Sequence, residues 1–160
     1  MKMVQLLLGT NEGNRVANLQ RAVHLLEINC GKILQSSSLY ETEAWGLKEQ
    51  NSFLNQAVIL ETSLAPHQLL FVLKNIEKEI GRTETIKWGP RLIDLDILFY
   101  ENEIVDEPDL KIPHPFIAER KFTLVCLFEI ASEFVHPVLQ KTIGELLEEC
   151  KDGSEVSLLK

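Results

Sequence analysis

The chain has 160 residues, 45% of them hydrophobic, which suits a single domain over 1–160 with one filled core. With 24 acidic against 16 basic side chains the net charge is −8, which argues against general affinity for nucleic-acid backbones or anionic membranes. A small anionic ligand held by a local Arg/Lys cluster stays open, above all together with a divalent metal.

The N-terminal run MKMVQLLLG is too short for a signal peptide or membrane span, so a soluble cytoplasmic protein is expected. It predicts a strand over 2–9, then a turn at Thr10–Gly13. GTNEGN (9–14) has the outline of a phosphate cradle but matches neither GxxxxGK[ST] nor GxGxxG, which leaves helix capping by Thr10 or Asn11 as the default. A helix over about 14–29 follows from Val16, Leu19, Val23 and Leu26. Cys30, Cys126 and Cys150, odd in number and widely spaced, fit reduced thiols better than a disulfide framework or zinc site.

After the break at Gly31, 31–41 is strand-like, 42–51 is polar and turn-prone, and 52–62 predicts a second strand. Trp45, Phe53 and Phe122 lie in or beside loops, with Asn55 on the neighbouring strand. They are either core aromatics or a sandwich for a flat heterocycle whose edge Asn55 reads. Pro66 suits the first turn of a helix running to about Ile80, with Leu69, Leu70, Leu73, Ile76 and Ile80 as its stripe and Gly81 as its end. Glu77 on that helix is a surface charge or a ligand anchor.

The polar loop 82–90 is bracketed by Arg82 and Arg91 and carries Lys87; Gly81, Gly89 and Pro90 sit at its ends as hinge and turn residues. Its charges are solvated, or they close over an anion. In the strand beyond, alternation places Ile93, Leu95, Ile97 and Phe99 on one face, and Asp94 and Asp96 on the other between Leu92 and Leu98. Two residues apart, roughly 6.5–7 Å between α-carbons, the two carboxylates can reach one cation or a cation pair. An exposed strand face is the alternative to a magnesium site that completes its shell with substrate phosphates. A hairpin (Glu103–Val105 with Leu110–Ile112), a turn with His114 between prolines, a helix near 120–131 and a short helix near 143–150 complete the chain. His114 is either a packed side chain or a donor to phosphate, with Arg120 and Lys121 close behind it. The order β-α-β-β-α-β over the first 100 residues gives the fold expectation: α+β, a ferredoxin-like core sheet covered by helices, with the C-terminal hairpin and helices added.

The combination of GTN (9–11), SSLYET (37–42), FLNQAV (53–58), IEKEIGR (76–82), WGPRLIDLDIL (88–98), IPHP (112–115), ERKF (119–122) and LFEIA (127–131) resembles the 6-hydroxymethyl-7,8-dihydropterin pyrophosphokinases over nearly the whole chain. The resemblance implies transfer of pyrophosphate from ATP to the pterin's hydroxymethyl group, releasing AMP, in folate biosynthesis. It implies that Asp94 and Asp96 hold two magnesium ions, and that Arg82, Arg91, His114 and Arg120 contact the triphosphate as further catalytic residues. Leu70, Lys74, Glu77, Trp88, Ile97, Leu110 and Lys111 match the nucleotide pocket. Thr42, Glu43, Ala44, Trp45, Phe53, Asn55, Asp94 and Phe122 match the pterin site. Pro115, Lys74 and Glu84 depart from the common pattern. ATP and the pterin are then the only partners expected of a monomer, with no nucleic acid and no membrane. Two other readings compete: a two-metal nucleotidyltransferase on a ferredoxin-like domain, which would release pyrophosphate, and a non-enzymatic binding module.

Overall fold

Side-chain period sorts the elements onto the two faces of one antiparallel sheet. The computed structural model describes residues 1–43, 51–81 and 92–159. In chain order these form β1 (Lys2–Thr10), α1 (Arg15–Asn29), β2 (Gly31–Ser36), β3 (Tyr40–Thr42), β4 (Phe53–Thr62), α2 (Pro66–Ile80), β5 (Asp94–Tyr100), β6 (Val105–Glu107) and β7 (Leu110–Ile112). A single 3-10 turn (Ile117–Glu119), α3 (Lys121–Ala131), α4 (Ile143–Glu149) and β8 (Val156–Leu158) follow. The main sheet runs β5-β1-β4-β3-β8, with β2 also on β4, and β6–β7 is a separate hairpin. This is the mixed α+β architecture expected.

On one face Val4, Leu6, Leu8, Leu54, Leu60 and Leu95 pack against Leu19, Leu26, Leu69 and Leu73 of α1 and α2. On the other, Leu7, Ala57, Leu98 and Phe99 pack against Leu124 and Leu127 of α3 and Ile143 of α4. Phe99 therefore leaves the face expected for it. A bulge between Gln5 and Leu6 in the β1–β5 register pairs Gln5 with Phe99 and Leu6 with Ile97, so the alternation slips at Leu98.

Four other expectations move. Val16 is exposed on α1, whose buried face is Leu19, Ala22, Leu25 and Leu26. The helix is capped by Asn14, whose Oδ1 accepts from the Ala17 amide at 3.1 Å. Thr10 and Asn11 serve elsewhere: Thr10 Oγ1 accepts from Asn18, and Asn11 Nδ2 donates to the Asn51 carbonyl. The strand expected over 31–41 is two, because Ser37 exchanges hydrogen bonds with Ala57 through both its amide and its Oγ and re-aims the chain. The hairpin begins at Val105, after a turn in which the Glu103 amide bonds the Tyr100 carbonyl. β8 has no counterpart in the sequence reading.

Helix α2 starts as predicted, with Pro66 in its first turn and Gln68 Oε1 accepting from the Ala65 amide at 2.9 Å. It ends on Gly81 at φ 105°, the left-handed conformation that glycine adopts without strain. Cys30, Cys126 and Cys150 are free thiols; burial pushes Cys30 up to about 11 and Cys126 up to about 12. No described helix is long and apolar enough to cross a membrane.

Candidate active site

The sheet register assembles the site. Asn55 on β4 and Asp94 on β5 are both direct partners of Gly9 on β1, so the three form one cross-strand row. Cross-strand partners share a face, and two strand spacings put the Asn55 and Asp94 α-carbons about 9.5 Å apart. One step along, Ala57, Leu7 and Asp96 form the parallel row on that face. Since Leu7 and Ala57 pack toward α3, both aspartates open toward the start of that helix. They are partly buried.

Glu77 fixes the backbone between them. It is 3% exposed on α2, and its Oε2 accepts from the Leu95 amide at 2.7 Å. Because β5 is the edge of the sheet, that amide bonds the helix instead of a neighbouring strand. Lys74 Nζ lies 3.6 Å from Glu77 Oε1.

Arg120, just before α3, stands against the Phe116 ring at 4.8 Å and the Phe122 ring at 5.9 Å. Burial lowers its pKa, opposed by the negative charges of Asp96, Glu119 and Asp94. Both site aspartates thus lie within electrostatic reach of this guanidinium. His114 is tied to β5 through its amide, which donates to the Leu98 carbonyl at 3.0 Å. Burial, helped by the Arg120 charge, pushes its pKa down to about 4. Its Nδ1 accepts from the Phe116 amide at 3.1 Å, so the neutral ring carries its proton on Nε2 and presents a donor.

Asn55 is 3% exposed and its Nδ2 donates to Thr42 Oγ1 at 3.2 Å. Phe53, the cross-strand partner of Thr42, and Phe122 are partly buried, and Glu43 is exposed. Leu70, Ile97 and Leu110 meet in the core cluster on the α2 side. Ile97 and Leu110 are 5% and 6% exposed, which leaves mainly their backbone for a ligand. Lys111 is exposed and paired with Asp106. Ala44, Trp45, Arg82, Trp88 and Arg91 lie outside the described residues, as do Glu84 and Lys87.

The sequence reading missed Gly9 and Asp152. A Cβ at Gly9 would stand 3.2 Å from Asn55 Oδ1 and 3.8 Å from the Phe53 ring, so its small size is what admits both side chains. The available signal is a glycine inside a strand pattern, which marks close approach of another group. Asp152 Oδ2 accepts from the Lys121 amide at 3.0 Å and caps α3 beside Arg120 and Phe122; nothing in its local sequence points there.

Hard carboxylate oxygens on one strand face, partly buried and beside a cation, fit a divalent ion such as magnesium better than a thiophilic metal. Among the described residues, the one further group with ligand spacing is His67, Glu107 and Asp109, all exposed, on α2 and the β6–β7 hairpin. His67 Nε2 lies 2.7 Å from Glu107 Oε2.

The chain is similar to known proteins in sequence and in fold. A family model described as 7,8-dihydro-6-hydroxymethylpterin-pyrophosphokinase matches residues 5–132. The 2-amino-4-hydroxy-6-hydroxymethyldihydropteridine pyrophosphokinase of Aquifex aeolicus is 42% identical over 149 residues, 93% of this chain and 92% of the relative. The folic acid synthesis protein fol1 of Pneumocystis carinii is 43% identical over 93% of this chain, which spans 20% of that longer protein. A crystal structure of Plasmodium falciparum HPPK-DHPS superposes with a TM-score of 0.76 at 24% identity over 93% of this chain, which spans 43% of the other; it shows the shared fold.

Proposed function

Because this chain belongs to the 7,8-dihydro-6-hydroxymethylpterin-pyrophosphokinase family, we propose that it transfers the diphosphoryl group of ATP to 6-hydroxymethyl-7,8-dihydropterin. The products are AMP and the pterin diphosphate, a step in folate synthesis. The observation that carries this reading is the row Asn55–Gly9–Asp94. It sets a buried amide suited to a heterocycle edge two strands from a carboxylate suited to a cation–phosphate group.

Asn55, held by Thr42, reads the polar edge of the pterin, with Phe53 and Phe122 against its faces. Glu43, Ala44 and Trp45 are assigned to the same ligand. Asp94 and Asp96 hold two magnesium ions, which supply charge neutralisation on the triphosphate. The chain's own donors do the rest of the positioning. His114 offers a neutral Nε2–H and Arg120 a fork of N–H groups to phosphate oxygens, joined by Arg82 and Arg91. Held in line, the pterin hydroxyl oxygen attacks the β-phosphorus, the bond to the α-phosphate oxygen breaks and AMP leaves. Leu70, Ile97, Leu110 and Lys111 are assigned to the adenine, and Lys74, Glu77 and Trp88 to the same nucleotide. Residues 1–160 act as one domain, since both core clusters share one sheet, and the protein works as a monomer in the cytoplasm.

The test is incubation with ATP, magnesium and the hydroxymethyl dihydropterin, separating the nucleotides by chromatography. AMP with the pterin diphosphate is expected; pyrophosphate release would point to nucleotidyl transfer and overturn the reading. Asp96→Asn is expected to cut turnover by at least about 100-fold with unchanged circular dichroism. Near-normal turnover at ordinary magnesium concentration would remove the metal assignment.

A further inference from the structure

A three-residue network ties the start of α1 to β3 and β4, the strands on the far side of β1 from the aspartates. Arg15, the first residue of α1, places Nη1 2.7 Å from Glu41 Oε2. The same nitrogen donates to the Ser52 carbonyl at 3.1 Å and lies 3.2 Å from Ser52 Oγ. Ser52 Oγ in turn donates to Glu41 Oε2 at 2.8 Å. Next to it, Asn11 Nδ2 holds the Asn51 carbonyl at 3.1 Å. Glu41 directly precedes Thr42 and Ser52 directly precedes Phe53, and Thr42 and Phe53 are cross-strand partners. One guanidinium therefore spans the end of β3 and the start of β4.

We infer that Arg15 is a positioning residue for pterin binding: its grip on Glu41 and Ser52 sets the spacing of Thr42, Phe53 and Asn55. This rests on the reading that those three residues hold the pterin. Three observations favour this role over a plain contribution to stability. The side chains of Arg15 and Glu41 are 26% and 35% exposed, a setting in which an ion pair adds little to folding. Helix α1 is already started by Asn14 without Arg15. The contacts converge on Glu41 and Ser52, the chain neighbours of Thr42 and Phe53. The Arg15 and Ser52 hydrogen bonds also hold the Glu41 carboxyl below its usual value, so the pair stays charged at neutral pH. Lysine keeps the charge but lacks the planar fork that serves several acceptors at once.

The experiment measures steady-state kinetics for both substrates in wild type, Arg15→Ala, Arg15→Lys and Ser52→Ala, with melting temperatures. Arg15→Ala is expected to raise the pterin KM about tenfold, leave the ATP KM within about twofold, and lower Tm by no more than about 4 °C. Arg15→Lys should recover part of the loss. Ser52→Ala, which removes one arm of the network, should shift the pterin KM in the same direction and serves if Arg15→Ala fails to fold. A pterin KM unchanged in every variant, or equal rises for both substrates, overturns the inference. Wild type that makes no AMP from these substrates overturns the functional reading instead, so the two failures are distinguishable.

Discussion

At the scale of single residues, the site is built by what small and buried side chains permit. Gly9 separates Asn55 from Asp94 and leaves space for Asn55 Oδ1 and the Phe53 ring. A methyl group there sits at 3.2 Å from the amide oxygen, tighter than ordinary contact, so Asn55 must give way. Gly9→Ala is therefore expected to weaken pterin binding by about 1–2 kcal/mol, roughly a 5- to 30-fold rise in Kd, while ATP binding changes little. Titration calorimetry with each ligand checks this; equal losses would mean that the methyl group disturbs the sheet as a whole. Asp94, Asp96, Asn55, His114 and Arg120 were legible as chemistry-bearing side chains from the sequence. Gly9 and Arg15 were not. Their importance lies in the register of β1 between β4 and β5 and in a contact 26 residues away along the chain, neither of which local pattern carries.

At the scale of elements, hydrophobic pattern located β1, α1, β4, α2 and β5 to within a residue or two, because α1 and α2 bury one regular face in one cluster while β1, β4 and β5 bury apolar residues toward both. Where the period failed, hydrogen bonding had overridden it. The β2–β3 break depends on Ser37 meeting Ala57, and on Glu129 of α3 accepting from the Ser38 amide and the Tyr40 hydroxyl. That bond, with burial, pushes the Tyr40 hydroxyl up to about 12. The bulge opposite Leu98 likewise turned Phe99 to the other side. The entry into β2 is the most constrained joint. Gly31 has φ 151°, and a Cβ there would fall 2.0 Å from the Glu61 carbonyl oxygen, a backbone atom that cannot step aside. Gly31→Ala should cost at least about 3 kcal/mol, seen as a drop in the urea midpoint with unchanged slope. A midpoint equal to wild type would show that the α1–β2 junction is not held this closely to β4.

At the scale of the whole molecule, His114 links the site to acid stability. Its folded-state pKa of about 4 lies below the ordinary 6.5, so the unfolded chain binds the proton more readily. The native state is fully favoured in this respect above pH 6.5. It loses that advantage as pH falls from 6.5 toward 4, by up to about 3 kcal/mol. A His114→Gln variant should lose less stability across that window, and denaturant curves at pH 7 and pH 4.5 measure the difference; parallel losses in both proteins would contradict it. The same assignment expects phosphate contact by a neutral ring throughout the physiological range.

Residues 152–158 brace two elements that carry proposed site residues. Asp152 caps the helix bearing Phe122, and β8 pairs with β3, with Val156 opposite Thr42. During ribosomal synthesis, then, the proposed site residues up to Phe122 emerge before the segment that braces them. A nascent chain stopped near residue 150 would carry those side chains and still lack both braces.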